Sequence, residues 1–214
     1  IHAMITPRTG FHLSGGIDSS LIVALAAQST KASHKTYAVS FPGYADFDES
    51  SYGEQVAKQY DWEFIRSEAN PQRFASVFSE ILKAVEEPKC HPPVFARFML
   101  EQCSSRDHCE RIITGRGADE LFTGYDSHQP NAILMHRQRR TVFDAEARRR
   151  LLTQDFLQSC SYSPESRYDE CFENLRGASL LERVLALDYQ GLMKNWLVVD
   201  YKISRQDRKS TRLN

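Results

Sequence analysis

Between Gly10 and Gly115, short runs rich in β-branched and aromatic residues alternate with longer stretches that carry apolar residues at helical spacing. GFHL leads into DSSLIVALAAQS, KTYAVSF (35–41) into SSYGEQVAKQY, and WEFIRSEA (62–69) into PQRFASVFSEILKAVEE. PKCHPP breaks that helix, VFARFMLEQCSS forms another, and ERIITG turns into RGADELFTGY. Neighbouring parallel strands need crossovers of a dozen or more residues, and helices supply them. The order therefore predicts an α/β fold, a parallel sheet flanked by helices on both faces. From about Gln129 the pattern becomes helical, clearest in HRQRRTVFDAEARRRLLTQDFL and SLLERVLALDYQGLMKNWLVVDY. The expectation is one domain over 1–205, with a sheet part to about 128 and a helical part over 129–205. The polar, basic residues 206–214 read as a tail outside it, open to being non-native sequence, and the whole chain reads as a truncated piece.

Local signals refine the elements. Leu21, Ile22, Leu25 and Ala26 give the first helix its apolar spacing. Ser51 and Glu54 are placed as a capping box for the second. Pro71 suits the first turn of the third, whose apolar face reads Phe74, Val77, Phe78, Ile81, Leu82 and Val85. Trp196 and Tyr201 are expected in helix packing. The arginines at 137, 139, 140, 148, 149 and 150 read as a solvated helix face.

Bulk properties exclude several functions. A formal net charge of −1 gives no field that favours nucleic acid or an anionic membrane. No stretch approaches the ~20 apolar residues of a membrane span. Five cysteines without a CxxC pair argue against a disulfide framework or structural zinc, so a cytoplasmic protein with reduced thiols is expected. His34, His108, His128 and His136 lack metal-ligand spacing and are expected in surface or core roles. Cys90 beside His91 is adjacency in sequence only.

The chemistry concentrates in Ser14-Gly15-Gly16-Ile17-Asp18-Ser19-Ser20, which follows a strand and opens a helix. Helix starts present unpaired amides and partial positive charge, which suit phosphate. Gly15 and Gly16 let an anion approach the backbone, and three hydroxyls add donors without bulk. Asp18 fits beside phosphate oxygens if Mg²⁺ bridges them. No lysine follows the glycines, so this is neither a Walker A loop nor G-x-G-x-x-G. Asp119-Glu120 reads either as a second metal carboxylate site or as the acidic first turn of a helix.

LSGGIDSS resembles the S-G-G-x-D-S-S pyrophosphate loop of the ATP pyrophosphatase superfamily. ITGRGADELFTGYD resembles the S-G-x-G-x-D-E-x-F-x-G-Y segment of asparagine synthetases. AVSFPGYADFDESSYGEQVAKQY is similar to that family's second-strand region, and NWLVVDYKISR to its V-D-R-x-S-M helix. The four matches run in family order over residues 11–205. The resemblance implies the C-terminal synthetase domain of an asparagine synthase. Such an enzyme uses ATP to turn the aspartate side-chain carboxylate into an acyl-adenylate, releasing pyrophosphate. Ammonia made from glutamine by an N-terminal domain, which this chain lacks, then displaces AMP.

By position, the resemblance implies that Leu13, Ser14, Gly15, Gly16, Asp18, Ser19 and Ser20 hold ATP and its departing pyrophosphate. Val39 would line the adenine pocket, Thr114 and Gly115 would contact the nucleotide, and Asp18 and Asp119 would carry Mg²⁺. Three departures stand out. Arg116 occupies a position that is commonly acidic in the family. EEPKCHPPVFAR follows the family's D-E-P region loosely, with His91 and Pro92 at altered positions. A later lysine-bearing segment is absent. These keep two rivals open: a ring-closing enzyme of the β-lactam synthetase or lasso-peptide cyclase kind, and a nucleotide-binding piece inactive in isolation.

Overall fold

A computed structural model describes residues 2–86, 92–128, 145–160 and 177–210, with 166, 169–170 and 173–175 between them. The expected break at PKCHPP, the arginines at 137–140, His136, and Cys90 beside His91 lie mostly or wholly outside the described residues. The chain divides into two compact units. The first comprises 1–116 together with 196–214, and the second comprises 117–195.

The first unit is built on a four-stranded parallel sheet. In chain order it has β1 (Thr9–His12), α1 (Ile17–Ser29), β2 (Lys35–Ser40), α2 (Ser50–Gln59) and β3 (Glu63–Glu68). Then follow α3 (Pro71–Val85), α4 (Pro92–Arg106) and β4 (Arg111–Ile113). The strands lie in the order β3-β2-β1-β4, each pair parallel, with Phe11 opposite Thr36 on one side and Ile113 on the other. All four residues of β1 are buried, as a strand covered on both faces requires.

One face of the sheet carries Phe11, Leu13, Val23, Ala26, Ala57 and Trp62, packed under α1 and α2. The other carries Ile81, Ala84 and Val85 of α3, and Val94, Phe95, Phe98 and Met99 of α4. The chain's last helix, which returns to this unit, adds Val199 and Ile203 to that second core. Lys202 fastens the same helix to the end of α3, donating to the Val85 carbonyl at 2.9 Å and pairing with Glu86.

Several local expectations are corrected here. Ser51 and Glu54 form no capping box, because α2 begins two residues earlier than that box requires, with Glu49 as its N-cap. Asp48 instead accepts from the Ser50 and Phe41 amides, both at 2.9 Å, so it ties the end of β2 to the start of α2. The Ser50 hydroxyl first, and then those two amides, hold its carboxyl below the usual carboxylate range. Glu54 pairs with Arg66 of β3. In α1 the buried face is Ser19, Val23 and Ala26, while Leu21 and Leu25 are exposed. Tyr201 is exposed rather than packed. The Asn70 side chain accepts from the Arg73 amide at 2.8 Å, and Pro71 takes the first turn of α3.

The second unit holds α5 (Ala118–Phe122), α6 (Ala145–Leu151), α7 (Gln154–Ser159) and α8 (Leu180–Leu187). Ser179 and Glu182 cap α8 reciprocally. A π-helical turn, Asp188–Met193, leads from α8 into α9 (Lys194–Ser210), whose greater part belongs to the first unit. That helix runs through position 206, where the sequence suggested a tail. Arg150 on α6 pairs with Glu146 at an exposed surface.

Candidate nucleotide site

The sheet order fixes where a ligand can sit. Successive crossovers from β1 run one way to β2 and β3, and β4 then joins the opposite edge of β1. In open parallel sheets the crevice lies beyond the C-terminal strand ends where the order reverses. Here that point lies between β1 and β4. Residues 13–20 leave β1 and residues 114–116 leave β4, so two of the motifs emerge side by side.

The loop after β1 is shaped by its glycines. Gly15 has φ +98°, and a Cβ there would stand 2.6 Å from Tyr52 Cβ and 2.7 Å from the Gly53 amide nitrogen. Only glycine meets both demands. Gly16 is the N-cap of α1 and offers no side chain to its first-turn amides. The Ser14 hydroxyl lies 3.1 Å from that of Ser19, which donates to the Gly16 carbonyl. Among the described residues the buried Ser20 hydroxyl has no hydrogen-bond partner. Uncapped amides, a 13-residue helix behind them and an unsatisfied hydroxyl fit an anion such as a triphosphate. Leu13 is fully buried in the core, which leaves only its backbone for a ligand.

Gly115 meets this loop directly. A Cβ on Gly115 would lie 3.0 Å from both Asp18 Cβ and the Ser19 amide nitrogen, so any side chain there would crowd the start of α1. The Thr114 hydroxyl accepts from the Arg116 amide at 3.3 Å. Val39, expected near adenine, is half-buried against the α3–α4 core. Asp119 lies in the second unit, on α5, with its carboxylate over Gly124. Glu120 beside it is buried and accepts from the Tyr125 hydroxyl at 2.8 Å. Burial and that carboxylate push the Tyr125 phenol up. Among the described residues, no group of three or more His, Cys, Asp or Glu side chains could hold a metal ion.

Behind the crevice lies a buried ionic network that the sequence reading missed. Arg97 of α4 bonds Glu101 at 2.7 Å and His12 Nδ1 of β1, and lies 3.6 Å from Asp200 of α9. Arg116 Nε reaches the other Asp200 oxygen at 3.1 Å. Arginine only donates, so His12 Nδ1 accepts and the ring is neutral. Burial, followed by the charges of Arg97 and Arg116, holds the His12 pKa well below its ordinary value. Asp200 is pushed up by burial against the pull of the same two arginines. Charged residues inside apolar stretches, VFARFML and WLVVDY, were the available signal. His34 is a core histidine, packed edge-on against Trp62 and bonded to the Thr9 carbonyl. His128 is buried against Asp188 at 2.8 Å. Cys103, Cys109 and Cys160 are free thiols.

The asparagine synthase family model matches residues 2–208. The chain belongs to the asparagine synthase family. Within the family, it is 29% identical over 129 residues to asparagine synthetase [glutamine-hydrolyzing] 1 of Bacillus subtilis, a stretch covering 60% of this chain and 20% of that protein. It is 30% identical over 127 residues to a putative asparagine synthetase [glutamine-hydrolyzing] of Mycobacterium bovis, covering 58% and 19%. These matches thus span about a fifth of the relatives' own length. Among solved structures, an NH3-dependent NAD synthetase from Campylobacter jejuni in complex with nitrate aligns at 15% identity and a TM-score of 0.43, over 92% of this chain and 88% of its own. No helix among the described residues is long and apolar enough to cross a membrane.

Proposed function

We propose that this chain is the ATP-binding part of an AMP-forming amide ligase. The observation that carries the reading is the meeting of the Ser14–Ser20 loop with the Thr114–Gly115 turn at the strand-order reversal, in a chain of the asparagine synthase family. On this reading a carboxylate, aspartate or a close relative, attacks the α-phosphorus of ATP. The carboxylate oxygen forms the new P–O bond, and pyrophosphate leaves against the α1 amides. Ammonia then adds to the acyl carbon and AMP departs, leaving an amide and a proton. Glutamine is the proposed source of that ammonia, through a glutaminase domain outside this chain. In the sheet unit Asp18 is the proposed ligand for Mg²⁺, which when bound would offset charge on the departing pyrophosphate. Ser14, Ser19, Ser20 and the loop amides orient the phosphates, and Val39 borders the adenine.

Incubating the full-length gene product with ATP, Mg²⁺, aspartate and ammonia tests this. AMP and pyrophosphate are expected in equal amounts, and ADP would overturn the reading. Asp18→Ala is expected to weaken Mg²⁺-dependent ATP binding at least tenfold, roughly 1.4 kcal/mol or more, by calorimetry. Unchanged affinity would remove Asp18 from the metal. Asp119→Ala measured beside it tests the second expected carboxylate. Arg116 favours a second reading, since no carboxylate stands there for acid–base work. AMP release only with another amino-acid derivative would select a ring-closing ligase or a different acceptor.

A further inference from the structure

Arg116 and Asp200 stand 84 positions apart in sequence yet pair within the sheet unit, and their pairing reaches the proposed nucleotide loop through a short chain of contacts. Asp200 is 8% exposed on α9, between the core residues Val199 and Ile203. One of its oxygens takes Arg116 Nε at 3.1 Å, and the other faces Arg97 Nε at 3.6 Å. Arg97 is itself fixed by Glu101 and by His12, the last residue of β1. The network therefore touches both strands whose ends carry the loops: β1 through His12, and the turn after β4 through Arg116. From Arg116 the path is short. Its amide donates to the Thr114 hydroxyl, and Gly115 between them lies against Asp18 and Ser19.

We propose that Asp200 is a positioning residue: by holding Arg116 it fixes the Thr114–Arg116 turn against the start of α1, and so sets the shape of the phosphate loop. The proposal rests on the nucleotide reading above for its functional meaning. Its physical basis is independent of ligand. Among the described residues the network sets Arg97 and Arg116 against Glu101 and Asp200, with His12 neutral. Buried ion pairs add little net stability over apolar packing, and in some proteins they instead fix the relative placement of the elements that carry them. Here those elements are α4, α9, β1 and the turn after β4.

The test uses the 214-residue chain with Asp200→Asn, Asp200→Glu, and the exchanged pair Arg116→Asp with Asp200→Arg. Amide hydrogen exchange is followed without ligand, and ATP binding with Mg²⁺ by calorimetry. Asp200→Asn is expected to speed exchange about tenfold in segments 13–20 and 113–116, with β2 and β3 unchanged, and to weaken ATP binding about tenfold. Asp200→Glu is expected to recover part of both effects, and the exchanged pair most of them. Unchanged exchange in the two segments, or a uniform rise over the whole sheet, overturns the proposal. Selective exchange changes in a chain that binds no ATP support the positioning role and count against the nucleotide reading alone.

Discussion

At the scale of single residues, the loop after β1 tolerates very little. Gly15→Ala forces a side chain into a left-handed backbone and onto the first turn of α2. A loss of about 1–3 kcal/mol is expected in urea unfolding, with ATP binding lost as well. His12 gives a pH signature. The folded ring stays neutral below its ordinary pKa, whereas the unfolded ring takes up a proton as pH falls through about 6.5. Its contribution is therefore fully present above pH 6.5 and lost on acidification, with a slope of at most about 1.4 kcal/mol per pH unit. His12→Asn, whose amide oxygen can accept from Arg97, is expected to flatten that part of the stability profile between pH 7 and 5. The tight turn after β1 was legible because glycines and serines at a strand-to-helix corner mark a close backbone approach into a helix. The ionic network was not, because pairing Arg97 with His12, and Arg116 with Asp200, depends on which elements stack across the sheet.

Among elements, α1 shows how periodicity can mislead about burial. Ile17, Leu21 and Leu25 repeat every four residues and are all exposed, while Ser19, Val23 and Ala26 face the sheet. Leu21→Lys should leave stability within about 0.5 kcal/mol, and Val23→Ala should cost about 2–3 kcal/mol, both read from denaturant midpoints. Removing the Asn70 cap with Asn70→Ala should cost α3 about 1 kcal/mol in the same assay. Strand and helix order was readable throughout 9–113, because period and Gly/Pro punctuation are local. The Asp48 link escaped because its partners, Phe41 just after β2 and Ser50 at the start of α2, are set by how two elements meet. The π-helical turn at 188–193 carries no sequence signature, since its apolar spacing continues that of the helices around it.

For the molecule as a whole, the telling feature is that the first unit is completed by the last helix. Val199 and Ile203 are buried among residues of α3 and α4, and Lys202 clasps the end of α3. Ile203→Ala is expected to cost about 2–5 kcal/mol, and a chain ending at 195 should bind a hydrophobic dye and lack a cooperative thermal transition. The sheet was foreseeable from local pattern, but nothing in the first 116 residues announces that a helix some 80 residues later seals it. This dictates an order during synthesis. A nascent polypeptide leaving the ribosome displays all four strands well before the segment that closes their far side has been made. Until that segment emerges, the greasy surface of α3 and α4 stays open to chaperones, and the core on that face of the sheet stays unfinished.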